Sequence, residues 1–549
     1  MRRPVVARNI HRRSDAEIAK VYNDVERYPR IADVAEELGY QYRYLQNRIQ
    51  AIRNGGAIPL IDRRKRYYDQ RPKKSEDGRF LVVLKPKVER WLLTSAQDET
   101  PVHEPFWHNL HAYAADIGAE VMVGGFTYNK GLFEDHASRT AVFAQAVQPY
   151  LVHDDRMLGP LMFAARVNTL PTAARPLSGM EAYSRGAWAV FPHAKIQLTS
   201  VPAIAGKHPA MVMTSGACTV PNYIAKKAGL KAEFHHQVGA TIVELDEDGR
   251  LFCRQIAAAG DGSFQDLDTI VRDGAVTRGH RVEQITWGDI HIPKLDPVVA
   301  RTCWGYDVET GEIVERDTIM TALRPRHAAF HDLHDHAARN HHRRADPHFG
   351  VARAANGSDR VQDEIRQVAR FLRTTSVDWC TSVVVASNHN DALARWLREA
   401  DPRTDPVNAR YWCELNAEWF ARIEDGDRDF DVFAWAVQRE DVGDAVFIPR
   451  GGSYVVCQQH GGIETALHGD MGPNGARGSA LNMNRMAMRL NRGHDHSASI
   501  FDGVYTSGLC GLMDQGYNEG PSSWSHSQTV TYSNAKRTIL TIIDGKYRA

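Results

Sequence analysis

Val282-Glu283-Gln284-Ile285-Thr286-Trp287-Gly288-Asp289-Ile290-His291 reads as a short alternating strand running into a loop that carries a carboxylate and an imidazole two residues apart. Two such groups at a strand exit can aim at one cation. The same rhythm recurs downstream. A short helix near Thr318–Leu323 and a strand at Ala328–Phe330 precede His331-Asp332-Leu333-His334-Asp335. An amphipathic helix with Ile365, Val368, Ala369 and Leu372 on one face leads to a strand at Ser382–Ala386, then Ser387-Asn388-His389-Asn390-Asp391. Ile463–Leu467 precedes His468-Gly469-Asp470, and a helix at Ala480–Leu490 precedes Gly493-His494-Asp495-His496 and a strand at Ser499–Tyr505. Strands alternating with helices predict an α/β fold.

A single Asp-x-His is common, and a lone histidine after a strand is ordinarily a hydrogen-bonded structural residue. The ordered set is far more specific. Asp-x-His, Asp, Asn-His, His and Gly-His-x-His, in this order, resemble the two-metal centre of the calcineurin-like metallophosphoesterases, over roughly residues 282–549. The resemblance implies a β-sandwich flanked by helices. It assigns Asp289, His291, Asp332 and His496 to one divalent ion, and Asp332, Asn388, His468 and His494 to the other. Two ions about 3.5–4 Å apart need an anionic ligand between them, and Asp332 suits that role. The mixed carboxylate, imidazole and amide set favours manganese, with iron or magnesium as alternatives, and the lack of thiolates argues against structural zinc at this centre. His389 is implied as the catalytic histidine, stabilising phosphoryl charge or protonating the leaving group.

The sequence departs from the family pattern in three places. No glycine precedes Asp332, which leaves Asp335 as an alternative bridge. Asn390 stands where a carboxylate ordinarily orients the histidine, with Asp391 a substitute one position late. A hairpin at Val308–Glu315 separates the first two motifs, and either shapes substrate access or does nothing. A run of His327, His334, His336, His341, His342 and His348 with Arg339, Arg343 and Arg344 either holds substrate phosphates or lies on an exposed face.

The 549 residues are 43% hydrophobic and 24% charged, which excludes a wholly disordered or collagenous chain. No apolar run reaches the roughly 18 residues of a membrane span, and the basic N-terminus has no apolar core of a signal peptide. The scattered seven cysteines read as reduced thiols in a cytosol-like compartment. Net charge is zero overall, yet residues 1–75 hold 18 Lys and Arg against 9 Asp and Glu. A basic head on an acidic body points to a polyanion partner, the alternative being a solvated tail.

Within that head, Ser14 and Glu17 form a capping-box pattern ahead of Ile18, Val21 and Tyr22. A second helix spans Ile31 to Leu38, Gly39 permits a turn, and a third helix from Gln41 turns Leu45, Ile49 and Ile52 inward. Arg43, Gln46, Asn47, Arg48 and Arg53 face outward, followed by Arg63, Arg64, Lys65 and Arg66, and by a possible wing strand Phe80–Leu84. This pattern predicts a helix-turn-helix for double-stranded DNA, against the plainer reading of a three-helix bundle for protein contacts.

Three units are therefore expected: a head at 1–85, an α/β accessory region at 86–280 that either stands apart or joins the catalytic body, and a catalytic domain at 281–549. Metallophosphoesterases cleave phosphoproteins, cyclic nucleotides, nucleotides and DNA, and the head favours DNA. The layout is similar to the superfamily's DNA-repair exonuclease branch. Over its whole length it resembles the pre-early, host-DNA-degrading nucleases of T-five-type tailed bacteriophages, which implies a manganese-dependent deoxyribonuclease in the host cytoplasm, with a homo-oligomer left open. The alternatives are a phosphoprotein phosphatase or cyclic-nucleotide phosphodiesterase, and an inactive DNA-binding regulator.

Overall fold

The structure, a computed structural model, describes residues 13–25, 27–28, 31–61, 67–68 by their backbone, 88–128, 141–204, 206–340, 343 and 346–549. Arg63, Arg64, Lys65, Arg66, the wing at Phe80–Leu84, His341, His342 and Arg344 lie outside the described residues.

The chain folds as mixed α/β. Four short apolar segments, Gln284–Thr286, His327–Phe330, Thr381–Val385 and Val446–Ile448, pair in parallel, and Ser527–Thr531 and Arg537–Thr541 extend the sheet antiparallel beyond Gln284–Thr286. Helices Pro297–Trp304, Val361–Thr375 and Val432–Gln438 pack their apolar faces with this sheet in one core around Trp287, Phe330, Trp304 and Phe371. A second sheet of ten strands faces the first. Ile539 joins Met211, Met213 and Ile500 of the second sheet in one apolar cluster, and polar contacts lie beside it: Gln284 donates to Thr465 Oγ1 at 3.1 Å, and Asn491 donates to Thr286 and Thr531 hydroxyls at 3.2 and 3.0 Å. The amide N–H groups of Gln284 and Asn491 thus find acceptors across the layer.

That second sheet merges two stretches remote in sequence. Ile463–Glu464, Leu490–Arg492, Val504–Thr506 and Ser499–Phe501 continue through Leu198–Val201 into Ala210–Thr214, Trp188–Phe191 and Leu161–Phe163. The 86–280 region is thereby hydrogen-bonded to residues of the 281–549 region in one sheet. It adds a five-stranded sheet, Leu251–Ala257, Gly239–Leu245, Glu89–Gln97, Glu120–Phe126 and Leu151–Val152, covered by helix Glu104–Ile117.

Several expected elements shift. Ala480–Leu490 is a helix only over Ala480–Asn484, because Ala487 takes φ +55° and Leu490 enters a strand beside Val504. Ser499–Tyr505 is two antiparallel strands folded at Asp502-Gly503, an Asp-Gly turn with φ +52° at Asp502. A further helix spans Lys227–Phe234. The hairpin expected at Val308–Glu315 is present, closed by an antiparallel bridge between Tyr306 and Ile313; the Asp307 carboxylate accepts from the N–H groups of Glu309 and Thr310, and the segment packs on Arg370 of helix Val361–Thr375.

The head is three helices, Asp15–Asn23, Ile31–Leu38 and Tyr42–Gly55, around Ile18, Val34, Leu38, Leu45, Ile49 and Ile52. The Ser14–Glu17 capping box is present, and Gly39 at φ +68° makes the turn between the second and third helices. Arg43 and Asn47 are exposed and Gln46 is half-buried, whereas Arg48 is drawn to Asp15 and Arg53 to the Tyr22 hydroxyl. Part of the polar face therefore clamps the bundle itself.

A buried ion cluster ties the accessory sheet together. Arg254 reaches Glu244 at 2.6 Å and Asp266 at 2.5 Å, and Tyr113 donates to Asp266 at 2.6 Å. Glu244 also pairs with Arg90 at 3.0 Å, so removing Arg254 strands Asp266, a buried carboxylate, and leaves Glu244 with one cation, which costs about 3–5 kcal/mol. Arg254→Ala is expected to lower the urea midpoint correspondingly, and an unchanged midpoint would show that the cluster is not a structural tie.

Candidate metal centre

Parallel strands leave their carboxyl ends on one edge, so the loops after Thr286, Phe330 and Val385 emerge side by side. Backbone pairing continues past the strand ends. Ile290, His291 and Ile292 donate to the carbonyls of His331, Asp332 and Leu333 at 3.1, 2.7 and 3.1 Å. From the opposite sheet, Gly493 donates to the His468 carbonyl at 2.9 Å, and the His494 N–H reaches Asp289 Oδ2 at 2.8 Å. A Cβ on Gly493 would collide with Asp289 Oδ1. His291, Asp332, His336, His494 and His496 all hold left-handed backbone, at φ +49°, +47°, +49°, +76° and +55°. Such strain in non-glycine residues persists where surrounding structure enforces it, and clusters at ligand sites.

Asp289, His291, Asp332 and His496 are buried, with ligand atoms all within 4.8 Å of one another. His496 Nε2 stands 3.0 Å from Asp289 Oδ2, and His291 Nε2 stands 3.8 Å from Asp332 Oδ2. His468 Nε2 approaches that same Asp332 oxygen at 3.2 Å. Asp332 therefore lies between the two histidine groups. Asp289 Oδ1 and Asp332 Oδ1 are buried without a hydrogen-bond donor among the described residues. Buried anionic oxygens left in this state fit a cation, so these groups could hold metal ions.

The remaining predicted residues gather at the rim. His494 is half-buried with its ring 5.1 Å from that of His468. Asn388 is exposed, and it lines a cavity of about 1310 Å³ together with His389, Asp391, Asp332, His494 and His496. His389 Nδ1 is 3.1 Å from Asp335 Oδ1, and Asp335 also meets His291 Nδ1 at 3.3 Å and Lys294 at 2.9 Å. Asp335, not Asp391, is thus the carboxylate on His389. Asp391 pairs with Arg450 at 2.6 Å. Asn390 is structural: its amide oxygen accepts from the His334 N–H at 3.2 Å and its nitrogen donates to the Val385 carbonyl at 3.3 Å.

Electrostatics follow from this packing. Burial disfavours charge on His389, but Asp332 and Asp335 outweigh it and hold the imidazole up at about 9. Burial likewise opposes charge on His468, and Asp332 and Asp289 again raise it. Burial acts to raise Asp335, yet His291, His389 and Lys294 keep it well below the usual carboxylate range. Burial raises Asp391 against the pull of Arg450.

Sequence reading missed several neighbours. His331 is buried with Nδ1 3.3 Å from His468 Nδ1, Trp524 lies 4.4 Å from the His496 ring, and Lys294, Tyr517 and Trp524 line the cavity. His331 stands in the His331–Asp335 motif without a role of its own there, and Lys294, Tyr517 and Trp524 belong to no spaced motif. His334 and His336, read as part of an exposed or phosphate-holding run, are buried.

Protein A1 of Escherichia phage T5 is 37% identical to this chain over 480 residues, covering 84% of the chain and 83% of the phage protein. The chain belongs to the Protein A1 family. No family model matches it, and no solved structure does. The A1-family chain also has no helix among its described residues long and apolar enough to cross a membrane.

A metal ion entering this site must displace the proton that Asp332 and Asp289 favour on His468. Protons compete with the ion, so affinity falls as pH falls. Titrating manganese by calorimetry in buffers of different ionisation heat is expected to show net proton release, reduced in His468→Asn. Heats independent of the buffer would contradict this protonation state.

Proposed function

We propose that the chain is a two-metal phosphodiesterase of the metallophosphoesterase type that hydrolyses DNA, phage-encoded and acting on host DNA in the host cytoplasm. The observation that carries this reading is a buried Asp/His floor opening into a cavity walled by Lys294, Arg343, Arg353, Arg395, Arg398 and Arg477. Anionic ligands for metal below and cations above match a phosphate chain lying across the site. At about 1310 Å³ the cavity exceeds the roughly 300–1,000 Å³ of small-molecule pockets. Tyr517 and Trp524, with rings 5.9 Å apart, offer a face on which a base can stack.

Asp289, His291, Asp332 and His496 would hold one ion, and Asp332, Asn388, His468 and His494 the other. When bound, such ions, manganese first among the candidates, supply Lewis acidity toward phosphoryl oxygens and acidify a water. The chain's own contribution is His389. Asp335 fixes its Nδ1 and keeps it charged, which leaves Nε2 to donate to the phosphoryl or leaving oxygen. The arginines position the strand, and the ligand loops, tied by backbone pairing, hold their geometry before substrate arrives. The basic three-helix head adds affinity for double-stranded DNA, with Arg43 and Asn47 its exposed candidates.

Purified protein with manganese is expected to degrade plasmid DNA and to leave a phosphopeptide intact. His389→Ala should lower the rate by about 10²–10⁴ with metal content unchanged. Asp335→Asn should cost about 10–100-fold by loosening His389, and Asp391→Asn should cost less. Turnover of the phosphopeptide with plasmid untouched would favour a phosphatase, and tight DNA binding without cleavage would favour a regulator.

A further inference from the structure

Behind the ligand loop lies a second polar cluster that the proposed chemistry does not use. The loop after strand His327–Phe330 sends Asp332 and Asp335 toward the metal centre. His334 and His336 turn the other way, to Glu364 on helix Val361–Thr375. All three are buried, with relative exposures of 0%, 1% and 5%, and their ligand atoms lie within 4.8 Å of one another.

The surroundings are apolar. His334 stacks on Phe433 with ring centres 5.6 Å apart, and His336 lies 5.8 Å from Trp396. His334 Nδ1 and Nε2 and Glu364 Oε2 have no hydrogen-bond partner among the described residues, although Nε2 and Oε2 are only 3.2 Å apart. Unpaired buried polar groups cost roughly 1–3 kcal/mol each. A separation near 3.2 Å without hydrogen-bond alignment is what two ligands on one ion show: bonds of about 2.0–2.1 Å in a tetrahedron give an edge of about 3.3 Å. The other carboxylate oxygen, Glu364 Oε1, accepts from the Ala338 N–H at 2.7 Å, which fixes the orientation of the group. His334 is fixed through its own N–H, held by Asn390.

We propose that His334, His336 and Glu364 form a third divalent-metal site, of the zinc class, that clamps the loop bearing Asp332 and Asp335 to helix Val361–Thr375. Two imidazoles and one carboxylate oxygen in buried apolar surroundings suit zinc, with water completing four-coordination. The site is structural and lies apart from the proposed catalytic pair, so it stands or falls independently of phosphodiester cleavage.

The test uses the full chain and zinc itself. Crystals of the wild type grown with zinc, measured above and below the zinc absorption edge, are expected to show an anomalous peak bonded to His334, His336 and Glu364. In solution, manganese-saturated protein should take up one further zinc equivalent, and zinc should raise its melting temperature. His336→Phe, which fills the space beside Trp396, should lose that equivalent and the thermal shift while still binding manganese. A map with no peak between the three residues overturns the proposal, whether or not zinc binds elsewhere. So does His336→Phe that retains the full zinc content. The crystallographic arm needs no variant, so misfolding of His336→Phe leaves it decisive.

Discussion

Two carboxylates buried almost without solvent, Asp289 and Asp332, set the terms for the rest of this structure. Isolated anions in an apolar interior are prohibitively costly, so they must be met by cations or neutralised. Here they are met by histidines from loops of both sheets. The pairing of main chain between 290–292 and 331–333, the left-handed residues at the loop tips and the bare Gly493 all serve to bring those loops close enough. The surrounding fold reads as scaffolding: parallel strands align one pair of loops, the facing sheet supplies the other, and polar side chains between the sheets fix their offset.

The buried group of Asp289, His291, Asp332 and His496, which could hold a metal ion, was legible in sequence because each member follows a short strand within a few residues. The α/β alternation across 282–385 was legible for the same reason, and the head's helices announced themselves through the Ser14–Glu17 box and the spacing of Leu45, Ile49 and Ile52. Legibility failed where local pattern and tertiary pairing disagree. Leu490 fits a helical period after Met483 but is claimed by a strand partner. The Asp502-Gly503 turn splits what otherwise reads as one short apolar run, Ile500-Phe501 and Val504-Tyr505. Asp335 was visible as a carboxylate, but its role on His389 depends on a loop 54 residues away in sequence, and no spacing encodes that.

The accessory region shows a further limit. Nothing in residues 86–280 signals that Leu198–Val201 will pair with Ser499–Phe501, since strand pairing across some 300 residues leaves no local trace. The consequence matters for the site. The His494–His496 loop is braced by a sheet half built from that region, so mutations far from the Asp/His cluster can loosen it. The cations along the cavity, Arg343, Arg353, Arg395, Arg398 and Arg477, are likewise drawn from separate loops and helices, and only folding assembles them into one basic wall.

A bridged two-metal centre requires Asp332 to join both ions. Electron paramagnetic resonance of the wild type loaded with two equivalents of manganese tests this directly. A shared carboxylate predicts an exchange-coupled pair of ions, replaced in Asp332→Ala by the uncoupled signal of isolated manganese. An uncoupled signal from the fully loaded wild type would contradict a two-metal centre bridged by Asp332.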